Sequence, residues 1–219
     1  MDPYDFNTRA YPRSRCAGDD IRIRRLLPLI GTGRTILDVG CLDGTVAAEF
    51  IRLGNTVHGL DAAAPAVEAA CRRGVEARVG NLEEPLPYED GRFDTVFAGE
   101  IIEHVFNIDG LMAEIRRVLR PGGRLVATTP NLAALGRRLL LLVNRNPNVE
   151  ISFTGDAAGH IRYFVRHTLC ELLARHGFRV LTLTADVVNF NAAGTLRSAW
   201  LARAAPTLGR CLIVEAESG

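Results

Sequence analysis

Short apolar runs alternate with segments of helical periodicity along most of this chain, and that alternation restricts the fold more than any other feature. The runs are Thr35–Val39, Thr56–Leu60, Ala77–Val79, Phe93–Ala98 and Arg124–Thr128, followed later by Phe178–Thr184 and Cys211–Ala216. Between them, Ile21–Ile30, Thr45–Leu53, Ala66–Arg73, Asp109–Leu119 and Arg166–His176 read as helices, several of them stopped by glycine. Strands apolar on both faces belong in a parallel sheet covered by helices on both sides. The fold class expected is therefore α/β, a doubly wound, mostly parallel sheet. Sites in such sheets lie beyond the carboxyl ends of the strands, near the point where strand order reverses. That singles out Gly40–Gly44, Asp61, Asn81 and Gly99–His104.

With 219 residues the chain fits one domain. An arm and helix over 1–33 would lead into a main domain over 34–219, with a cap insertion at 131–162. All 26 basic residues are arginine. Without lysine there can be no Schiff base, no P-loop lysine and no kinase strand lysine. A formal net charge of +1 gives no global field toward nucleic acid or an anionic membrane. The five cysteines, at 16, 41, 71, 170 and 211, form no CxxC pair. Reduced thiols and a cytoplasmic location are expected. The polar start, MDPYDFNTRAYPRSR, does not read as a signal peptide. The longest fully apolar run, Leu139–Val143, is far short of the roughly 20 residues a transmembrane helix needs.

The segment ILDVGCLDG (36–44) is a strand feeding a glycine turn and then a helix. Glycines allow a tight turn and a close backbone approach to a ligand. A second strand ends at Asp61, about 20 positions after Gly40, where a carboxylate can accept both hydroxyls of a ribose. The GxGxxG spacing of dinucleotide sites is missing, so a nucleoside without phosphates is the better ligand. A structural turn beside an exposed acid is the bland alternative.

ILDVGCLDG resembles the first motif of the class I S-adenosylmethionine-dependent methyltransferases, and HGLD (58–61) their second. VGNLEEPLPYEDGRFDTVFAGEIIEHV (79–105), EIRRVLRPGGRLVATTPN (114–131) and HIRYFVRHTLCELLARHGF (160–178) resemble later motifs in the same order. The resemblance implies a seven-stranded Rossmann-like sheet with an antiparallel last strand. It implies S-adenosylmethionine as methyl donor, with Gly40, Cys41 and Gly44 along its methionine part and Asp38 near its amino group. Asp61 would hold the ribose, Asn81 and Leu82 the adenine, and Glu100 would face the methyl-transfer region. There are two departures. Leu42 stands where the family has glycine, which is expected to tighten the loop and lower cofactor affinity. Asn81 stands where aspartate is common, and its amide oxygen can still accept the adenine amino proton.

Glu100, Glu103 and His104 lie at i, i+3 and i+4 and cluster at the end of the fourth strand, whether in a helix or in an open turn. By spacing alone, Glu103 and His104 could simply orient that turn. EIIEHV (100–105) resembles an element of the ubiquinone-biosynthesis O-methyltransferases and of the small-RNA 2′-O-methyltransferases, in which a downstream histidine completes a metal site. His160, in GHIRYF, stands at the matching place. The resemblance thus implies Glu100, Glu103, His104 and His160 as ligands of Mg²⁺, Mn²⁺, Fe²⁺ or Zn²⁺. The catalytic candidates are Glu103, His104 and His160; without metal either histidine would act as general base. His58, His167 and His176 have blander readings on a strand and a late helix.

In the insertion, Leu132–Val143 is the most apolar stretch, and residues 131–170 carry five arginines against two acids. A cap helix packed on the domain, or buried in a homodimer interface, is expected. The alternatives are a lid over an apolar or anionic substrate, or docking at a membrane surface. Arg9, Tyr11 and Arg13 would close over the cofactor. The expected reaction is O-methylation of a small-molecule acceptor such as a sugar or phenol. An RNA 2′-hydroxyl is the enzymatic alternative, disfavoured by the net charge, and a catalytically silent S-adenosylmethionine binder is the other.

Overall fold

The computed structural model describes residues 20–147, 159–191 and 195–219. In chain order the main elements are α1 (Asp20–Ile30), β1 (Thr35–Val39), α2 (Thr45–Arg52), β2 (Thr56–Asp61), α3 (Ala64–Arg72), β3 (Glu76–Val79), β4 (Phe93–Gly99), α4 (Ile108–Val118), β5 (Leu119–Pro130), α5 (Leu135–Leu142), α6 (Arg166–Arg175) and β6 (Phe178–Ala185). There follow β7 (Val188–Asn189), β8 (Arg197–Ser198), α7 (Ala199–Ala204), a 3-10 turn (Pro206–Leu208) and β9 (Cys211–Ser218).

Seven strands form one sheet in the order β3-β2-β1-β4-β5-β9-β6. β1 pairs in parallel with both β2 and β4, and β9 runs antiparallel between β5 and β6. The doubly wound reading is borne out. Strand order reverses between β1 and β4, which places the crevice over their carboxyl ends.

Side chains alternate across the pleat and so feed two cores. Leu37, Val39, Val96, Ala98, Leu125 and Ala127 face the layer made by α4 and α6. Ile36, Phe97, Val126 and Ile213 face α1 and α2, where Phe50 meets Phe97 edge to face at 5.1 Å. Apolar residues on both faces are what the parallel arrangement requires.

Three expectations need correction. The fifth strand is longer than Arg124–Thr128: β5 already begins at Leu119 and runs to Pro130, and the register against β4 slips from Phe93–Leu119 to Thr95–Arg124. Residues 186–210 contain a small β7–β8 ladder and α7 that the sequence reading passed over. The cap helix is shorter than Leu132–Val143, and none of α5 is buried. Leu139, Leu141 and Leu142, with Val143 just after the helix, are exposed, and Leu135 at its start packs against the cluster of Ala185, Val188 and Ala202. Arg9, Tyr11 and Arg13 lie outside the described residues.

Candidate active site

The glycine turn comes first. Gly40 and Cys41 both donate to the carbonyl of Leu60, and Gly44 donates to that of Cys41, folding residues 40–44 over the end of β2. Gly40 has φ +75°, and a Cβ there would stand 2.7 Å from Cδ1 of Ile101. Only glycine lets the EIIEHV segment come this close. Leu42 adopts φ +47°, a left-handed conformation that favours glycine, at the very position where the motif departs from glycine.

Asp61, 8% exposed, ends β2 and spans the turn. Its two carboxylate oxygens accept from the backbone N–H groups of Leu42 (2.8 Å) and Ala63 (2.9 Å). Burial pushes its carboxyl up, and the N–H groups of Ala63, Leu42 and Ala62 work in the opposite direction. Each oxygen keeps a further lone pair, so the donor set suits a diol. Asp38 is buried on β1. Burial, with Asp38 and Asp61 alongside, pushes the Cys41 thiol far up, so it stays protonated. Asn81 forms a local turn in which its side-chain oxygen accepts from the N–H of Glu83 (3.0 Å) and keeps a second lone pair. Leu82 packs against the inner core.

The acid–histidine motif lies on a turn, not a helix. Glu100 has φ +56°, another left-handed non-glycine residue, directly after β4. Glu103 is 1% exposed; its Oε2 accepts from the hydroxyl of Thr129 (2.9 Å), while Oε1 is buried without a partner. Burial first, and the charge of Glu100 second, hold its carboxyl well above the usual range. The His104 and His160 rings lie 4.9 Å apart. Nδ1 of His104 lies 3.1 Å from the carbonyl of Gly159, which can only accept, so this nitrogen carries the proton. In the neutral ring Nε2 is then the acceptor.

The 55 residues between His104 and His160 are bridged by hydrogen bonds to backbone carbonyls. Ile161 and Arg162 both donate to the carbonyl of Glu103, and the Arg162 guanidinium donates to those of Val105 and Phe106. Ligand atoms of Glu103, His104 and His160 all lie within 4.8 Å of one another. The fourth expected member is elsewhere: Glu100 Oε1 pairs with Arg22 (3.2 Å) and accepts from the Cys211 thiol (3.1 Å). The left-handed turn at Glu100 accompanies this separation, and the set becomes one carboxylate and two imidazoles.

Beside this group opens a cleft of about 210 Å³ lined by Arg22, Glu100, Pro130, Arg137, Arg210 and Cys211. Thr129, Arg22, Arg210 and Cys211 were not singled out from sequence. They come from three regions far apart in the chain, α1, β5 and the start of β9, and nothing local marks them. The other histidines have structural settings: His58 is buried in β2 against Tyr88 and Phe93, and His176 bonds Asp109.

Comparison with known proteins adds the following. A family model described as a methyltransferase domain matches residues 13–183. The human mitochondrial ubiquinone biosynthesis O-methyltransferase is 30% identical over 173 residues, covering 74% of this chain and 45% of that protein. The chain spans less than half the length of the curated relatives it matches. Among solved structures, a possible histamine N-methyltransferase from Thermotoga maritima superposes with a TM-score of 0.68 at 18% identity, covering 99% of this chain and 92% of the other. A Burkholderia thailandensis 1,6-didemethyltoxoflavin-N1-methyltransferase, with S-adenosylhomocysteine bound, gives 0.62 at 19% identity, covering 92% and 78%. These structural likenesses establish the fold.

Proposed function

The chain belongs to the class I S-adenosylmethionine-dependent methyltransferases, and from that premise we propose that it methylates a hydroxyl oxygen of a small-molecule acceptor. The observation that carries this reading is the buried Glu103, with one carboxyl oxygen unpartnered, set against His104 and His160 at the carboxyl end of β4. An amine attacks through a lone pair it already has. A hydroxyl must lose its proton, and this group is built to take one. The cleft of about 210 Å³ alongside suits a compact acceptor.

S-adenosylmethionine supplies, when bound, a methyl group already activated by its sulfonium. The turn at Gly40–Gly44 and Asp38 would hold the methionine end. The remaining lone pairs of Asp61 would accept the ribose hydroxyls, with Asn81 and Leu82 at the adenine. His104, fixed by its Nδ1–H on Gly159, offers Nε2 to the acceptor hydroxyl and takes its proton. In its ionised form Glu103, whose ligand atom lies within 4.8 Å of that of His104, would stabilise the imidazolium that results. The acceptor oxygen forms its bond to the methyl carbon as the carbon–sulfur bond breaks, and positioning in line supplies most of the rate.

The same three side chains fit a divalent cation, because a buried carboxylate oxygen without a partner calls for a proton or a metal. Two imidazoles and one carboxylate suit Mn²⁺, Fe²⁺ or Zn²⁺ better than Mg²⁺. A cation held by Glu103, His104 and His160 would lower the pKa of an acceptor hydroxyl.

The test is mass spectrometry of products from S-adenosylmethionine and a panel of phenols, catechols and sugars set against their matched amines. Methyl ethers are expected. Products confined to the amines would overturn the oxygen assignment.

A further inference from the structure

The cleft beside the acid–histidine group carries more positive than negative charge. Three of its six lining residues are arginine and one is acidic. Two of the arginines have carboxylate partners, although Nε of Arg22 is buried without a hydrogen bond among the described residues. Arg22 pairs with Glu100 and bonds the hydroxyl of Thr128, and Arg210 pairs with Asp186 at 2.6 Å. Arg137 differs. Its Nη1 is buried with no hydrogen-bond partner among the described residues, and Glu100 and the Tyr163 hydroxyl are its electrostatic neighbours. Burying a guanidinium edge without a partner is costly, so a folded chain that keeps one there has a use for it.

We propose that this cleft receives an oxyanion of the acceptor, a carboxylate or a phosphate, with Arg137 as its principal donor. The inference rests on the methyltransferase reading and narrows its acceptor to a compact anion. Position separates this anion from the donor's own carboxylate. In the strand order β2-β1-β4-β5-β9 the glycine turn lies at β1 and β2, on one side of β4. Pro130 ends β5, Cys211 begins β9 and Arg137 sits on α5, all on the other side. The Glu103 turn follows β4 between them, so an anion in the cleft would set a neighbouring hydroxyl against Glu103, His104 and His160. A guanidinium presents two parallel N–H groups, the geometry that a carboxylate or a phosphate accepts.

The test is calorimetric titration of benzoate, phenyl phosphate and neutral benzamide into the protein saturated with S-adenosylhomocysteine. Both anions are expected to bind at least about tenfold more tightly than benzamide, the scale of one charge-assisted hydrogen bond. Arg137→Gln should abolish that preference, Arg137→Lys should keep part of it, and Arg138→Gln should leave it intact, because Arg138 is exposed and bonds the carbonyl of Ala133. Equal binding of benzamide, no anion binding, or anion binding unchanged in Arg137→Gln would overturn the proposal. So would anions that compete with S-adenosylhomocysteine together with weaker S-adenosylhomocysteine binding in Arg137→Gln, since the cleft would then hold the donor's carboxylate. Failure here with methyl ethers still formed would leave the oxygen assignment standing. Anion binding with only amines methylated would overturn that assignment alone.

Discussion

Glu103 combines two properties that rarely coexist: it is 1% exposed and one of its oxygens has no partner. Such a group is kept at some cost to stability, and its titration makes that cost measurable. Burial and Glu100 raise its carboxyl above the ordinary 4.5. Above that pH the unfolded chain releases a proton that the folded chain retains. Folding stability therefore falls as pH rises from 4.5 toward the raised value. Glu103→Gln has no proton to release, so it should gain stability over the parent as pH rises. Urea midpoints at about pH 5 and about pH 8 measure this. A difference between variant and parent that does not change with pH would mean that Glu103 is not held protonated. The gain should come with lost activity, as expected where a site is kept at the expense of stability.

Elements bring this residue and its partners together, and here legibility in the sequence divides. β1 was readable to its ends, Thr35–Val39, because Ile36, Leu37 and Val39 make a short β-branched and apolar run closed by Gly40. The pairing of His160 with EIIEHV was readable only as a resemblance. The contacts that secure it are backbone bonds from Ile161 and Arg162 to the carbonyl of Glu103, which no spacing rule reveals. That Glu100 stands apart from Glu103, His104 and His160 was not readable, since a left-handed turn is invisible in a string where glutamate suits helix and loop alike. The arginine cleft was unreadable because α1, the turn after β4, α5 and β9 meet only in three dimensions. Arg162 tests the element account. Arg162→Ala removes the donors to Val105 and Phe106 and frees the 159–162 segment. It should cost about 1–3 kcal/mol of stability and lower turnover more than S-adenosylhomocysteine affinity. An unchanged turnover would show that the segment is held without it.

At the scale of the molecule, division of labour follows strand order. The glycine turn and Asp61, proposed for the nucleoside, lie at the ends of β1 and β2, the cleft lies near β5 and β9, and the turn after β4 carries Glu103 and His104 between them. Two cores, one on each face of the sheet, hold the three regions in register. Such a scaffold supports many acceptors, and the relatives matched here are named for both oxygen and nitrogen methylation. The separation of binding from chemistry is the central claim. Its most direct measurement is the turnover of Glu103→Gln beside its affinity for S-adenosylhomocysteine, each relative to the parent chain. Turnover is expected to fall by about 100-fold or more, the scale of disabling the acid–base group that Glu103 supports, with affinity held within about twofold. Equal losses in both, or turnover that survives, would contradict the account.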